Sequence, residues 1–171
     1  MTTSDTTHPY TGVFPIAPTP FKEDETLDLP GQKRVLDCMV DQGVDGICIL
    51  ANYSEQFLLT DEERNTLLEI CLNHVAERVP VIVTCSHFST RVALERALQA
   101  ESAGARMVML MPPYHGAALR ADEHGTFEHF SKIAQAVSIP IMVQDAPLSG
   151  VTLSVSLLER MAKELPHVNY F

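Results

Sequence analysis

The stretch of residues 46–55, which reads GICILANYSE, constrains the fold of this chain more than any other. Residues 47–50 are continuously apolar, which is typical of a parallel strand buried on both faces. Polar and aromatic side chains follow at once. A helix is predicted to begin at Asp61 with Thr60 as its N-cap, because Thr is favoured at that position and acidic residues fill the first turn. A buried strand that ends in polar groups before a helix is how α/β barrels build active sites, so the pattern indicates an enzyme.

The same alternation of apolar strand and amphipathic helix continues along the chain. Strands are predicted at residues 12–17, 47–50, 79–84, 106–111 and 139–143 and from 168 onward, and helices at 29–42, 61–77, 90–103, 127–137 and 155–165. Strict alternation predicts a parallel sheet, either closed as a barrel or open and doubly wound. No GxGxxG loop follows the first strand, and polar residues follow strands two to five alike. Both observations favour the barrel.

The predicted fold class is therefore α/β, a (β/α)8 TIM barrel. A complete barrel of this kind needs about 250 residues, so this chain would supply about five and a half βα units. Residues 1–8 are predicted to be a disordered tail. Residues 9–171 are predicted to be the N-terminal part of one barrel domain that continues beyond residue 171, because a barrel that stopped there would leave an open sheet edge.

Charge and composition narrow the possible partners and the compartment. The net charge of −10 argues against nucleic acid or an anionic membrane as a partner. No apolar run approaches the ~20 residues of a membrane helix, and residues 1–8 do not resemble a signal peptide. Cys38, Cys48, Cys71 and Cys85 form no CxxC pair and are interpreted as reduced packing residues of a cytoplasmic protein. A reactive thiol at Cys85 is the alternative.

Four groups of polar residues are predicted to meet at the carboxyl rim of the barrel. They are Asn52, Tyr53, Ser54 and Glu55 after the second strand, Ser86 and His87 after the third, Tyr114 and His115 after the fourth, and Gln144 and Asp145 after the fifth. Tyr114 and His115 follow two prolines and are acid–base candidates, and packing over the barrel core is the alternative for Tyr114. Loop hydrogen bonding is the alternative for Ser54, Glu55 and His87. A metal site formed by His87, His115 and Asp145 is the rival chemical explanation, but no HxH or HxxxH spacing supports it, and no metal is predicted.

These motifs together resemble the class I lyase family typified by dihydrodipicolinate synthase and N-acetylneuraminate lyase. The markers are GVFPIAPTPF near the start, ANYSE at 51–55, the helix start at 59–64, the block at 103–114 and the element that ends in Pro147. The resemblance spans about residues 12–171. It implies an eightfold barrel, usually tetrameric, in which a lysine near the end of strand six forms a Schiff base with a 2-keto acid. That lysine is expected just after Phe171, since Lys132 and Lys163 lie on predicted helices.

The chain departs from the family pattern at two places. Asn52 and Tyr53 replace the hydroxyl pair after strand two, and Gln144 replaces the tyrosine after strand five. An amide cannot ionise as a phenol does, so the pattern is more similar to the sugar-acid dehydratase branch. The alternatives are a pyruvate-dependent aldolase or condensing enzyme of the same family, and a non-catalytic truncated barrel.

The resemblance implies a hydro-lyase that acts on a 2-keto-3-deoxy sugar acid. Its predicted catalytic residues are Tyr114, His115 and Gln144, and its predicted substrate-binding residues are Asn52, Tyr53, Ser54, His87 and Asp145. Because the iminium serves as the electron sink, neither a metal nor an organic cofactor is expected. The expected partners are the small-molecule 2-keto acid and further copies of the chain in a tetramer.

Overall fold

The computed structural model describes residues 9–115, 119–146 and 149–171, with the backbone alone at 114–115 and 119–120. The chain forms two compact units, the first up to Val83 and the second from Thr84 onward.

The first unit is built on strand β1, Ile47–Ile49, which pairs in parallel with β2, Val81–Thr84; all but the last residue of β2 belong to this unit. Every residue of both strands is buried, as the continuous apolar runs predict. The segment predicted as a strand at 12–17 runs beside β1 but forms only one isolated bridge, between Ile16 and Cys48. The reason is chemical, because Pro15 and Pro18 have no N–H to donate to a ladder.

Two helices complete the first unit. Helix α1, Leu29–Asp41, has Asp28 as its N-cap, and the side chain of Asp28 accepts a hydrogen bond from the Gly31 N–H. Helix α2, Asp61–Val75, begins with the predicted Thr60 cap, which forms a reciprocal capping box with Glu63. Between β1 and α2 the chain makes a single 3₁₀ turn, Asn52–Ser54. The strand and helix boundaries in this unit otherwise lie within a few residues of the predicted ones.

The apolar side of α1 is only partly covered. Leu36 is fully buried, whereas Val35 and Met39 are half-buried. Val35 and Met39, together with Pro18 and Cys38, line an open groove of about 430 Å³. The prediction that all four cysteines pack in the interior is wrong for Cys38, whose side chain is exposed.

The second unit contains three parallel strands in one sheet. They are β3, Met107–Leu110, β6, Ile141–Val143, and β7, Val168–Tyr170, with β6 between the other two. Its helices are α3, Thr90–Ser102, α4, Glu123–Ala134, and α5, Val155–Glu164. A short antiparallel pair, β4, Tyr114–His115, and β5, Leu119–Arg120, was not predicted from the sequence.

Helix α4 begins four residues before the predicted start at Phe127. Its N-cap is Asp122, whose side chain accepts a hydrogen bond from the Gly125 N–H. The first turn is polar and contains a glycine, so the apolar periodicity begins only one turn later. Among the described residues, no helix is long and apolar enough to cross a bilayer.

Candidate active site

The 3₁₀ turn after β1 contains the first group of predicted site residues. The Ser54 N–H donates to the Ala51 carbonyl at 3.0 Å, and the Glu55 N–H donates to the Asn52 carbonyl at 3.1 Å. The Tyr53 N–H has no hydrogen-bond partner among the described residues, and its side chain is 70% exposed. The turn therefore engages the amides of Ser54 and Glu55 within itself and leaves the Tyr53 amide available to a ligand.

Ser54 fastens this turn to the segment that runs beside β1. Its side chain is 1% exposed, and its Oγ donates to the Ala17 carbonyl at 2.6 Å. Its own carbonyl accepts from Thr19 Oγ1 at 2.8 Å. These two bonds support the alternative in which Ser54 holds the loop, while its contact with substrate stays a prediction.

Asn52 is paired with a residue that the sequence did not single out. Gln56 is 3% exposed, and its Nε2 donates to Asn52 Oδ1 at 2.6 Å. Gln56 Oε1 is buried with no partner in the described structure. The side chain of Asn52 is therefore held by a hydrogen bond from the buried carboxamide of Gln56.

In the second unit, adjacent strands carry the remaining predicted residues. The Cys85 N–H donates to the Met109 carbonyl, and the Gln144 N–H donates to the Leu110 carbonyl. The segments that follow Cys85, β3 and β6 therefore leave this unit at the same edge, because β3 and β6 run in parallel and Cys85 bonds to β3. This edge brings the segments at 86–87, 112–115 and 144–145 into one region, as the barrel hypothesis predicts for these three groups.

Ser86 and His87 are both engaged by the backbone around them. Ser86 is buried, and its Oγ accepts from the Met111 N–H at 2.9 Å. His87 Nδ1 accepts from the Ser89 N–H at 2.9 Å, and its ring stacks on Phe88 with centroids 4.2 Å apart. Because Nδ1 is an acceptor, a neutral His87 carries its proton on Nε2. His87 therefore has a structural role at the start of α3, and its contact with substrate stays a prediction.

Gln144 carries an unmet hydrogen-bonding group at the end of β6. Its side-chain Oε1 is buried and has no partner among the described residues. Asp145 next to it is exposed. A buried amide oxygen without a donor is uncommon in native proteins, so Gln144 has an unmet capacity to accept a hydrogen bond, and its catalytic role stays a prediction.

Two of the predicted catalytic residues can be located only by their backbone. Tyr114 and His115 form β4, where they pair with Arg120 and Leu119. The side chains of Tyr114 and His115 lie outside the described structure, and so does Pro147. Their catalytic role stays a prediction. In the parts of the chain that the structure describes, no group of three or more His, Cys, Asp or Glu side chains could hold a metal ion.

Sequence reasoning missed His129, which lies on α4 and is 1% exposed. Its Nδ1 is 3.0 Å from Thr90 Oγ1, and its Nε2 is buried without a partner in the described structure. Burial, with a smaller contribution from the nearby His87, lowers the pKa of His129 to about 4. An imidazole among the apolar residues of an amphipathic helix is the only signal in the sequence, and such a residue is usually part of the core.

The sequence matches the Dihydrodipicolinate synthetase family over residues 9–169. The chain is 54% identical over 169 residues to the L-2-keto-3-deoxyarabonate dehydratase of Azospirillum brasilense, and the match covers 99% of this chain and 55% of that relative. Against the 4-hydroxy-tetrahydrodipicolinate synthase of Bartonella henselae the identity is 32%, over 88% of this chain and 50% of the relative. The chain thus spans about half the length of these curated relatives.

Solved structures give the same result for the fold. The Escherichia coli K12 prophage protein YagE, of the dihydrodipicolinic acid synthase family and in complex with pyruvate, has a TM-score of 0.86 at 30% identity, over 91% of this chain and 52% of that one. The predicted α/β TIM-barrel class is confirmed, with this chain covering part of the barrel. The match over nearly its whole length shows that the chain belongs to the dihydrodipicolinate synthetase family.

Proposed function

We propose that the protein containing this chain is a hydro-lyase that removes water from a 2-keto-3-deoxy sugar acid through a lysine Schiff base. The substrate to test first is L-2-keto-3-deoxyarabonate, and its product would be 2-oxoglutarate semialdehyde. The observation that carries the proposal is the 54% identity to a dehydratase with that substrate in its name, over 99% of this chain.

Gln144 supports dehydration over aldol chemistry. Aldol cleavage of such a substrate needs a group that removes the proton of the C4 hydroxyl, and an amide cannot ionise to do so. Dehydration breaks no carbon–carbon bond. Gln144 needs only to donate a hydrogen bond to a substrate hydroxyl and orient it, and its buried Oε1 could accept a second one.

The proposed reaction proceeds without an oxidant or a cofactor. The lysine, expected after residue 171, condenses with the C2 keto group, and the iminium acidifies C3. A base removes a C3 proton, the electron pair passes into an enamine, and the enamine expels the C4 hydroxyl as water. Loss of a C5 proton and ketonisation at C5 then give the aldehyde, and hydrolysis frees the lysine. The net change is the loss of one water.

We assign the chain's own residues as follows. The turn at Asn52, Tyr53 and Ser54 binds the substrate carboxylate, and the available Tyr53 N–H supports this because backbone amides bind carboxylates well. Tyr114 or His115 carries the proton to the departing hydroxyl. His87 and Asp145 contact the rest of the sugar acid.

We further propose a cytoplasmic homotetramer in which residues 9–171 form the first part of one barrel domain. Exposed apolar side chains in the first unit, at Tyr53, Phe57 and Leu58, support a subunit interface. Light scattering of the protein in solution tests the assembly, and its intact mass tests whether the polypeptide extends past Phe171.

Borohydride reduction followed by product analysis tests the function. Incubation with pyruvate and borohydride should add one covalent adduct to the predicted lysine, and L-2-keto-3-deoxyarabonate should yield 2-oxoglutarate semialdehyde. Pyruvate and glycolaldehyde as products would instead establish an aldolase. Absence of both adduct and turnover would leave the non-catalytic barrel as the correct alternative.

A further inference from the structure

The paired carboxamides of Asn52 and Gln56 have a defined polarity. Gln56 Nε2 donates to Asn52 Oδ1 at 2.6 Å, and Gln56 is almost fully buried. If Gln56 alone were reversed, two oxygens would face each other. If both amides were reversed, the buried end of Gln56 would be an NH₂ group with two unmatched donors in place of one unmatched oxygen. The observed polarity is therefore the favoured one.

Gln56 is not needed to hold the loop in place. The loop is already fastened by Ser54, through its bonds to Ala17 and Thr19. The Gln56 N–H also donates to the Ala51 carbonyl at 3.3 Å, a bond that any residue except proline could make. An apolar side chain of similar length would fill the same buried position without leaving an unpartnered oxygen.

We propose that Gln56 is a positioning residue that fixes the carboxamide of Asn52 with its oxygen inward. Asn52 then meets the substrate through N–H groups, as a donor only. The group it recognises is an oxygen acceptor of the keto acid, either the carboxylate or a hydroxyl. This inference rests on the proposed function, because it assumes that the loop containing Asn52 binds substrate.

A double-mutant cycle on the protein in its natural full length tests the coupling. The variants are Gln56→Met, Asn52→Ala and the two combined, compared by KM and kcat for L-2-keto-3-deoxyarabonate. Loss of one hydrogen bond should raise KM by roughly two- to ten-fold in each single variant. Because Gln56 acts through Asn52, the double variant should have the KM of Asn52→Ala alone.

Thr19→Val is the matched control for a purely structural effect. It removes a buried hydrogen bond to the same loop, at Ser54, and leaves the Asn52–Gln56 pair intact. It should lower the thermal midpoint, and any effect on KM should add to that of Asn52→Ala. If the KM effects of Gln56→Met and Asn52→Ala were also additive, the positioning role of Gln56 would be overturned.

A second variant reverses the polarity of the pair. The carboxyl introduced by Gln56→Glu can donate to Asn52 Oδ1 only while it is protonated. Once ionised it accepts, and Asn52 should turn its NH₂ inward and its oxygen toward the substrate. The KM of Gln56→Glu relative to the parent should therefore rise with pH, whereas a constant ratio would overturn the inference. A parent enzyme without turnover would overturn the proposed function itself, and this inference with it.

Discussion

The loop after β1 and the strand end after β6 look alike in sequence, since both place polar residues directly after a buried apolar strand. In the structure they differ. Ser54 uses its hydroxyl, its carbonyl and its N–H to hold the loop after β1. Gln144, after β6, has a backbone N–H bonded to the sheet and a buried side-chain oxygen that no described group satisfies.

The difference is between polar groups whose hydrogen bonds are complete within the protein and polar groups that keep an unsatisfied donor or acceptor. A group whose hydrogen bonds are complete contributes mainly to the stability of the fold. A buried group with an unsatisfied donor or acceptor destabilises the free protein, and it gains a hydrogen bond when a ligand supplies the partner. Mutations in the two regions should therefore change different measured quantities.

The largest expected effect follows from replacing the proposed proton carriers of the second unit. Tyr114→Phe combined with His115→Ala should lower the turnover of dehydration by about 10²- to 10⁴-fold, because the departing hydroxyl would lose its acid. Borohydride trapping with pyruvate should be unchanged. Full turnover in this double variant would place the proton transfer elsewhere.

The next largest effect is a loss of stability at low pH, which arises from the buried His129 of the second unit. The folded pKa of His129, about 4, lies below its usual value of 6.5. The unfolded chain therefore binds the proton more readily, and stability is present above pH 6.5 and is lost as the pH falls toward 4. The loss should be roughly 3 kcal/mol. Denaturant unfolding of the parent and of His129→Gln at several pH values measures it, and an equal slope for both would contradict the assignment.

Ser54→Ala should act mainly on stability. It leaves the buried Ala17 carbonyl without the Ser54 hydroxyl, so the free energy of unfolding should fall by about 1–3 kcal/mol. Chemical denaturation gives this value directly. An unchanged free energy of unfolding would mean that the loop is held by its other bonds.

Gln144→Leu should have the smallest effect, and unlike Ser54→Ala it should lower turnover and not stability. It removes an unpartnered buried oxygen, so the free energy of unfolding should stay the same or rise, while turnover should fall by about ten-fold through the loss of a hydrogen bond to substrate. Unfolding and kinetics measured on the same preparation decide this. A destabilised variant with normal turnover would place Gln144 with the structural residues and remove the contrast with Ser54.

The sequence was sufficient where the determinants are local. The continuous apolar runs predicted the buried strands, and Thr60 with Glu63 predicted the start of α2. The two hydrogen bonds by which Ser54 holds the loop could not be predicted, because its partners Ala17 and Thr19 are 37 and 35 residues away in the chain. The hydrogen bond of His129 likewise could not be predicted, since its partner Thr90 lies at the start of another helix.

The pairing of Asn52 with Gln56 shows a different limit. Their separation of four residues is a familiar helical spacing, but this segment is a loop, and only the folded structure shows that the two amides meet. The sequence pattern therefore predicted where the strands end, but it could not predict which polar side chains there hydrogen-bond to one another.

The exposed Cys38 provides an internal reporter for the groove beside α1. Cys48, Cys71 and Cys85 are buried, so a water-soluble thiol reagent should label Cys38 first in the folded protein. The labelling rate then measures how well solvent reaches this groove in the complete polypeptide. Rapid labelling would mean that the groove stays open, and labelling that is slow until denaturant is added would mean that other parts of the protein cover it.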